Sequence, residues 1–181
     1  MSKALLVIDI QNDYFPGGKM ELVGSAAAAL QAARVQRHFR ERGLPVINVQ
    51  HIALSPTATF FLPETQGAEI HSDVTPIDGE VVITKHFPNA FRETNLAETL
   101  GALGAKELTV VGMMTHMCVD TTVRAANDAG LKVTLVGDAC ATKDLEFDGR
   151  TVAAADVQVS YLAAIDGSFA EVVSTASLLG E

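Results

Sequence analysis

KELTVVGMMTHMCVDTTV, residues 106–123, is the stretch that decides the fold predicted for this chain. The apolar run 108–111 predicts a strand that breaks at Gly112, and the polar residues after it predict a helix that begins near Cys118 and continues to about Ala129. A thiol at a helix N-terminus faces unpaired backbone N–H groups and the positive end of the helix dipole, which both favour the thiolate. The simpler alternative is a buried cysteine that packs as a small apolar side chain.

Two charged residues also lie at the ends of strand-like runs. The run 4–10 is apolar apart from Asp9, and the run 81–84 is followed by Lys85. Such runs are typical of strands that a parallel sheet buries on both faces. Taken singly, Asp9 is explained equally well as a solvated strand end, and Lys85 is explained better as a surface lysine than as a catalytic one. Because sites in open α/β sheets form beyond the carboxyl ends of the strands, we expect Asp9, Lys85 and Cys118 to share one edge.

The remaining pattern alternates between strands and helices along the chain. It predicts strands at 4–10, 45–51, 80–84, 107–112, 132–137 and 170–173, and helices at 25–42, 94–103, 118–129 and 148–165. The connection 52–79 has little periodicity, and a loop of this length is usually functional or a lid. We therefore predict a single domain, 1–181, with an α/β fold in three layers: a mainly parallel, Rossmann-like sheet of about six strands with helices on both faces.

The composition excludes several classes of protein. The 181 residues suit one domain with a full apolar core, and a formal net charge of −9 disfavours nucleic acid and anionic membranes as partners. The two cysteines lie far apart without metal-ligand spacing, which indicates free thiols in a reducing compartment. The N-terminal run lacks the features of a signal peptide and no stretch reaches the length of a transmembrane helix, so we expect a cytoplasmic protein.

Three segments resemble the isochorismatase-like cysteine hydrolases, a family that includes nicotinamidases, N-carbamoylsarcosine amidases and streptothricin hydrolase. The matching segments are LLVIDIQNDYFPGG (5–18), VITKHFPNAFRETNL (82–96) and VVGMMTHMCVDTTVRAANDAGLKVTLVGDACAT (110–142). The resemblance implies that Asp9, Lys85 and Cys118 form a catalytic triad. It also implies a cis peptide bond between Met113 and Met114, and a homo-oligomer, since members of the family are commonly oligomeric.

The three residue types suit hydrolysis of an amide-type bond. Cys118 supplies the nucleophile, and Asp9 is placed to take its proton and later to deliver it to the leaving nitrogen. Lys85 would hold the charge of the acid and favour the thiolate. The backbone N–H groups of Met114 and Cys118 are the candidate oxyanion donors.

The loops at the strand ends predict a small, partly apolar pocket for a small-molecule substrate. Its candidate residues are Asn12, Tyr14, Phe15, His51, Phe60, Phe61, Phe87, Phe91, Thr115 and Met117. Nicotinamidases of the family bind a metal through an aspartate and histidines in a DxH-type motif after the second strand, where this chain has Gln50 and His51. One histidine does not make a metal site, so we predict no metal and no cofactor, and a main substrate other than nicotinamide.

Other functions stay open at this point. An isochorismatase-type hydrolase would act without the cysteine as nucleophile, and its vinyl ether chemistry does not require Cys118. A nicotinamidase would need the missing metal ligands. A non-catalytic protein would use Cys118 as a peroxide-sensitive thiol, with Cys140 near the same edge. The presence of Cys118 beside the other two residues favours amide hydrolysis.

Overall fold

The computed structural model describes residues 2–181, and its centre is a parallel sheet of six strands. The strands are β1 (Ser2–Ile8), β2 (Val46–His51), β3 (Val81–Lys85), β4 (Ala105–Met113), β5 (Lys132–Ala141), the hairpin strands β6 (Leu145–Phe147) and β7 (Arg150–Val152), and β8 (Glu171–Val173). The six-stranded sheet has the order β3-β2-β1-β4-β5-β8, and every pairing within it is parallel. The predicted α/β class and parallel sheet are confirmed.

Helices cover both faces of the sheet. They are α1 (Ser25–Glu41), α2 (Leu96–Ala102), α3 (Asp120–Asp128), α4 (Ala154–Ile165) and α5 (Thr175–Leu179). Alternate residues of β1 point to opposite faces, so Leu6 and Ile8 join the core under α2 and α3, whereas Leu5 and Val7 join the core under α1. Among residues 2–181, no helix has both the length and the apolar character to cross a membrane.

The predicted helix 148–165 is wrong over its first residues. Residues 145–152 form the antiparallel hairpin β6–β7, and α4 begins only at Ala154. Asp148 and Gly149 at its tip have φ of 50° and 71°. An Asp-Gly pair with two positive φ angles is the preferred two-residue hairpin turn, and this local preference prevails over the helical pattern. Helix α5 was not predicted either; the side chain of Ser174 caps its start.

The centre of the sheet brings the ends of β1 and β4 unusually close. Gly112 has φ of 140°, and a Cβ atom at this position would collide with the carbonyl oxygen of Ile8. Only glycine permits this approach. Consequently the residues that follow each strand, Asp9 and the segment from Met113, meet directly.

The long connection 52–79 is held against the loop after β1. The buried carboxylate of Asp13 accepts hydrogen bonds from the backbone N–H of Phe61 at 2.7 Å and of Lys19 at 3.2 Å. The N–H of His71 donates to the carbonyl of Ile10 at 2.9 Å. These bonds fix the connection as part of the wall above the sheet edge.

Candidate active site

Asp9, Lys85 and Cys118 converge at the carboxyl edge of the sheet. Nζ of Lys85 lies 2.7 Å from Oδ2 of Asp9 and 3.3 Å from Sγ of Cys118. The Asp9 and Lys85 residues are 0% exposed and Cys118 is 5% exposed. Asp9 follows β1 with φ of 51°, a region that residues other than glycine seldom occupy and that recurs at functional sites. The three side chains therefore form a dry cluster with direct contacts.

Lys85 is surrounded by more acceptors than it has protons. Besides Asp9 and Cys118, its ammonium contacts Nδ1 of His51 at 2.8 Å and the carbonyl of Phe87 at 3.0 Å. An ammonium carries three N–H donors, so four acceptor atoms compete for them. The contact with Sγ is the longest of the four, as the larger radius of sulfur requires.

Burial and the charge of Lys85 determine the protonation states of the three side chains. Burial alone would lower the pKa of Lys85, but Asp9 and Cys118 outweigh it and raise that pKa, which keeps the ammonium charged. Burial raises the pKa of Asp9, and Lys85 opposes the rise. Burial, reinforced by Asp9, also raises the pKa of Cys118, although Lys85 again opposes it. The resting cluster is therefore an Asp9–Lys85 ion pair beside a neutral thiol.

This result corrects the expectation of a resting thiolate. A thiolate beside the Asp9–Lys85 pair would leave one uncompensated negative charge in a buried site. Transfer of the thiol proton to Asp9 creates the thiolate without changing the net charge. Oδ1 of Asp9 has no hydrogen-bond partner within residues 2–181, which makes it a free acceptor for that proton.

The segment around Cys118 begins with a different helix from the one predicted. Residues Thr115–Val119 form a π-helical turn that runs into α3. The carbonyl of Met114 accepts from the N–H of Met117 at 3.1 Å and of Val119 at 3.2 Å. The peptide bond between Met113 and Met114 is cis, at the position that the resemblance implies. Isolated π turns of this kind are frequent at functional sites.

A cavity of about 170 Å³ opens onto the thiol. It is lined by Tyr14, His51, Phe60, Phe61, Pro88, Met114, Met117 and Cys118. Five residues predicted for the pocket thus face it: Tyr14, His51, Phe60, Phe61 and Met117. Met114, which together with Met113 and Met117 is a sequence candidate for substrate selection beside Cys118, also lines the cavity. Pro88 is a lining residue that the sequence does not predict, since a proline carries no signal that separates lining from core.

Asn12 and Phe15 lie outside this cavity, although they flank Tyr14. The amide of Asn12 donates to the carbonyl of Gln66 at 2.8 Å, and the ring of Phe15 stacks on His71 with 3.6 Å between centroids. The 3₁₀ turn Asn12–Tyr14 directs neighbouring side chains differently, and only Tyr14 faces the thiol.

Phe87, Phe91 and Thr115 also lie outside the cavity. Phe87 contributes its carbonyl to Lys85, while its ring lies under the guanidinium of Arg92. Phe91 packs against the core between the sheet and α3. The hydroxyl of Thr115 is fully buried and donates to the carbonyl of Ala141 at 3.2 Å.

Gln11 is a site residue that the sequence pattern did not single out. Its Nε2 donates to the carbonyl of His51 at 2.9 Å, and its Oε1 accepts from the N–H of His51 at 2.8 Å. Nε2 also donates to the carbonyl of Ala68 at 2.7 Å. The fully buried side-chain amide of Gln11 therefore joins the backbone of His51 to the loop after β1 and to the connection 52–79.

The residues present do not fit a metal ion. The donor atoms of Asp9, His51 and Cys118 lie within 4.8 Å of one another, and they form the one such group found among residues 2–181. However, the ammonium of Lys85 already contacts all three side chains and would repel a cation. Gln50, at the position of the expected carboxylate, donates instead to the carbonyl of Ala68 at 2.9 Å.

A larger groove of about 450 Å³ lies beside the start of α1 and the face of α4. Cys140 is among its lining residues, but Asp9, Lys85 and Cys118 are not. The thiol of Cys140 donates to the carbonyl of Val136 at 3.3 Å. The carboxylate of Asp138 also lines the groove, but it accepts hydrogen bonds from the backbone N–H and the hydroxyl of Thr175, and no cation is among the lining residues. The smaller cavity, beside Asp9, Lys85 and Cys118, is therefore the candidate active site.

Comparison with known proteins gives consistent matches over the whole chain. The family model described as isochorismatase domain matches residues 3–177. The uncharacterised isochorismatase family protein YddQ from Bacillus subtilis is 49% identical over 179 residues, which are 99% of either chain. Streptothricin hydrolase from Streptomyces noursei is 35% identical over 93% of this chain and 58% of its own length. Nicotinamidase 3 from Arabidopsis thaliana is 31% identical over 82% of this chain and 78% of its own length.

Solved structures share the fold closely. An isochorismatase from Pseudomonas putida has a TM-score of 0.90 and 39% identity, with 97% of this chain and 89% of that chain covered. A cysteine hydrolase from Pseudomonas syringae has a TM-score of 0.91 and 26% identity, with 98% and 91% covered. N-carbamoylsarcosine amidase from Thermoplasma acidophilum has a TM-score of 0.81 and 25% identity, with 97% of each chain covered.

Proposed function

This chain belongs to the isochorismatase family, and we propose that it is a cysteine-dependent amidohydrolase that cleaves a C–N amide-type bond of a small molecule. The observation that carries the proposal is the single ammonium of Lys85 in contact with both the Asp9 carboxylate and the Cys118 sulfur. A base, a cation and a nucleophile in one dry cluster are the groups that thioester chemistry requires. Relatives named streptothricin hydrolase and nicotinamidase support the reaction class.

The first half-reaction forms the thioester. Sγ of Cys118 attacks the amide carbonyl carbon while the thiol proton passes to Asp9. The C–S bond forms and the carbonyl electron pair moves to oxygen, where the backbone N–H groups of Met114 and Cys118 would hold it. One oxyanion donor is worth about 3–4 kcal/mol of the barrier. Asp9 then gives its proton to the nitrogen, the C–N bond breaks and the amine leaves.

The second half-reaction releases the acid. Water attacks the thioester carbonyl while Asp9 takes one of its protons. The tetrahedral intermediate collapses, the C–S bond breaks, and the proton on Asp9 returns to the departing sulfur of Cys118. One amide and one water become one carboxylic acid and one amine, and the cluster regains its starting charges.

Lys85 supports both steps without transferring a proton. Its ammonium is already paired with Asp9, and it stabilises whichever of the two partners carries the negative charge as the proton moves between them. A residue in this position performs the charge compensation that an imidazolium performs in cysteine–histidine enzymes. The proposal accordingly assigns no proton transfer to His51.

Two variants test the proposal on amides chosen by intact-protein mass. A panel of small amides is incubated with the protein, and an acyl adduct on Cys118 identifies a substrate. Cys118→Ala should then abolish turnover while leaving binding largely intact, and Asp9→Asn should lower turnover by orders of magnitude. Cys140→Ala is the matched control and should keep its turnover. If Cys118→Ala hydrolyses the same amide at the normal rate, the thioester route is wrong and a nucleophile-free hydrolase takes its place.

A further inference from the structure

Residues 53–61 form a loop that is closed on itself. The N–H of Ala53 donates to the carbonyl of Phe61 at 2.9 Å, so the two ends of the loop lie together. Its middle is open to solvent, and Leu54 is 63% exposed. Its last two residues are different, because Phe60 and Phe61 line the cavity beside Cys118. The loop 53–61 therefore carries two of the aromatic side chains that wall off the thiol.

A single hydrogen bond joins this loop to the rest of the described chain, residues 2–181. The backbone N–H of Phe61 donates to Oδ2 of Asp13 at 2.7 Å. The other hydrogen bonds of residues 53–61 stay within the loop. The segment 66–69 has separate hydrogen bonds to Gln11 and Asn12, which do not involve the side chain of Asp13. Loss of the Asp13 carboxylate would therefore free the loop 53–61 while leaving those bonds intact.

Phe61 has a backbone conformation that a bulky residue seldom adopts. Its φ is 54°, in the left-handed region. The residue is 1% exposed, and its ring centroid lies 4.6 Å from that of Tyr14 and 4.9 Å from that of Phe60. A conformation of this kind persists only where the surroundings impose it. The hydrogen bond to Asp13 acts on the same backbone unit, so it helps to impose this conformation.

Asp13 is a buried carboxylate that is held by backbone groups alone. It is 5% exposed, and no salt bridge within residues 2–181 involves it. Besides Phe61, the N–H of Lys19 donates to its Oδ1 at 3.2 Å. Gly67 packs directly on it, and a Cβ atom at Gly67 would collide with the carboxylate. A buried carboxylate is costly unless it is hydrogen-bonded, so Asp13 and Phe61 stabilise each other's position.

We propose that Asp13 is a positioning residue, which holds Phe60 and Phe61 in the cavity wall and thereby limits the size of the molecule that can reach the sulfur of Cys118. With this wall in place, Cys118 is 5% exposed and the cavity has a volume of about 170 Å³. Asp13 acts only through the backbone of Phe61 and transfers no proton. The inference goes beyond the proposed hydrolysis, because it concerns access to the sulfur and holds for any chemistry of this thiol.

Two maleimides of different size test this limit without any turnover. N-methylmaleimide and N-pyrenylmaleimide carry the same electrophile, but the pyrenyl group is far bulkier than the methyl group. Each rate at Cys118 is measured by peptide mass and divided by the rate with free N-acetylcysteine. The size ratio is the normalised rate with N-pyrenylmaleimide divided by that with N-methylmaleimide. In the unchanged protein we expect the pyrenyl reagent to be at least tenfold slower.

Four variants separate the anchor from its surroundings. Asp13→Ala removes both acceptor oxygens and should raise the size ratio at least fivefold. Asp13→Asn keeps one acceptor oxygen and should retain part of the restriction. Gly67→Ala leaves the carboxylate in place but forces a methyl group into it, so it should raise the size ratio as well. Glu21→Gln is the matched control, since Glu21 follows the same strand and accepts only from the N–H of Gly17, and it should change nothing.

Cys140 reports on unfolding of the whole chain in the same samples. It is buried outside this cavity, so a general loss of stability would speed the labelling of both cysteines, whereas release of the loop 53–61 affects Cys118 alone. We expect the N-methylmaleimide rate at Cys140 to stay within twofold in every variant. Gly67→Ala and Asp13→Asn decide the question if Asp13→Ala does not fold.

The possible results are distinct. Equal normalised rates for the two maleimides at Cys118 of the unchanged protein, a size ratio that no variant of Asp13 or Gly67 changes, or a rise that Cys140 shares in all of them would each overturn the positioning role. A rise confined to Cys118 supports it. If that rise is found but no amide yields a thioester, Asp13 keeps its positioning role and the hydrolase proposal fails.

Discussion

Lys85→Met removes one half of an ion pair in which both side chains are fully buried. The carboxylate of Asp9 would then stand alone among apolar groups, and breaking a buried pair in this way costs about 3–5 kcal/mol. We expect the free energy of unfolding at pH 7 to fall by that amount. The exposed Lys132→Met is the control and should change stability by less than about 0.5 kcal/mol.

The double variant Lys85→Met with Asp9→Asn isolates the pair itself. Asp9→Asn alone leaves the ammonium of Lys85 without its counter-charge and should destabilise by a similar amount. With both charges gone, neither penalty remains, so the double variant should be no less stable than either single variant. Urea-induced unfolding followed by circular dichroism gives all four free energies. A double variant whose loss equals the sum of the two single losses would refute the buried-pair argument.

The pH dependence provides an internal check on the same variants. Burial raises the pKa of Asp9, and without Lys85 only the hydrogen bond with Cys118 opposes that rise. An acid with a raised folded pKa is most stable when protonated, and that stability is lost as pH rises through the folded pKa. The deficit of Lys85→Met relative to the unchanged protein should therefore shrink as the pH falls towards the unfolded value. A deficit that is constant from neutral pH downward would contradict the assignment of the charge to Asp9.

Three further outcomes follow from the same contacts. Iodoacetamide at neutral pH should label Cys118 much faster than Cys140, since both thiols are buried but only Cys118 has both a base and a cation beside it. Lys85→Met should slow the labelling of Cys118. Peptide mass measures the labelling rate of each cysteine, and equal rates would count against an activated Cys118. Gly112→Ala should lower the free energy of unfolding by more than about 1 kcal/mol, because of its φ of 140° and the collision with Ile8; a neutral result in urea would contradict the close approach. Amide hydrolysis should survive exhaustive chelation, with less than stoichiometric zinc, iron or manganese by elemental analysis; a tightly held metal would reopen the nicotinamidase alternative.

The sequence predicted that Asp9, Lys85 and Cys118 share one edge of the sheet because that placement depends on features a pattern can show. Apolar runs that end in Asp9 and Lys85 become parallel strands, and parallel strands present their carboxyl ends on one side. The hairpin 145–152 differs from the predicted helix because the Asp148–Gly149 pair, a strong local turn signal, prevails over the helical pattern. The error lies away from the cluster and does not affect it.

The pocket was predicted less well because it depends on the conformation of loops. Tyr14 and Phe15 are adjacent and both aromatic, yet one faces the thiol and the other stacks on His71. No periodicity separates them, since the backbone turn alone decides which ring points inward. Phe61 reaches the cavity only because Asp13 accepts its backbone N–H, a contact between residues far apart in sequence.

The state of the thiol shows how burial changes a conclusion drawn from local sequence. A helix N-terminus and a nearby lysine both favour a thiolate, but Cys118 is nearly inaccessible, and burial raises its pKa instead. Burial raises the pKa of Asp9 as well, so the two groups become competitors for one proton beside a permanent ammonium. Moving that proton leaves the net charge of the cluster unchanged, which avoids the cost of an uncompensated charge in a buried site. A nucleophile that is neutral at rest and activated only by an internal transfer needs no histidine, and it stays protected from oxidants that attack exposed thiolates.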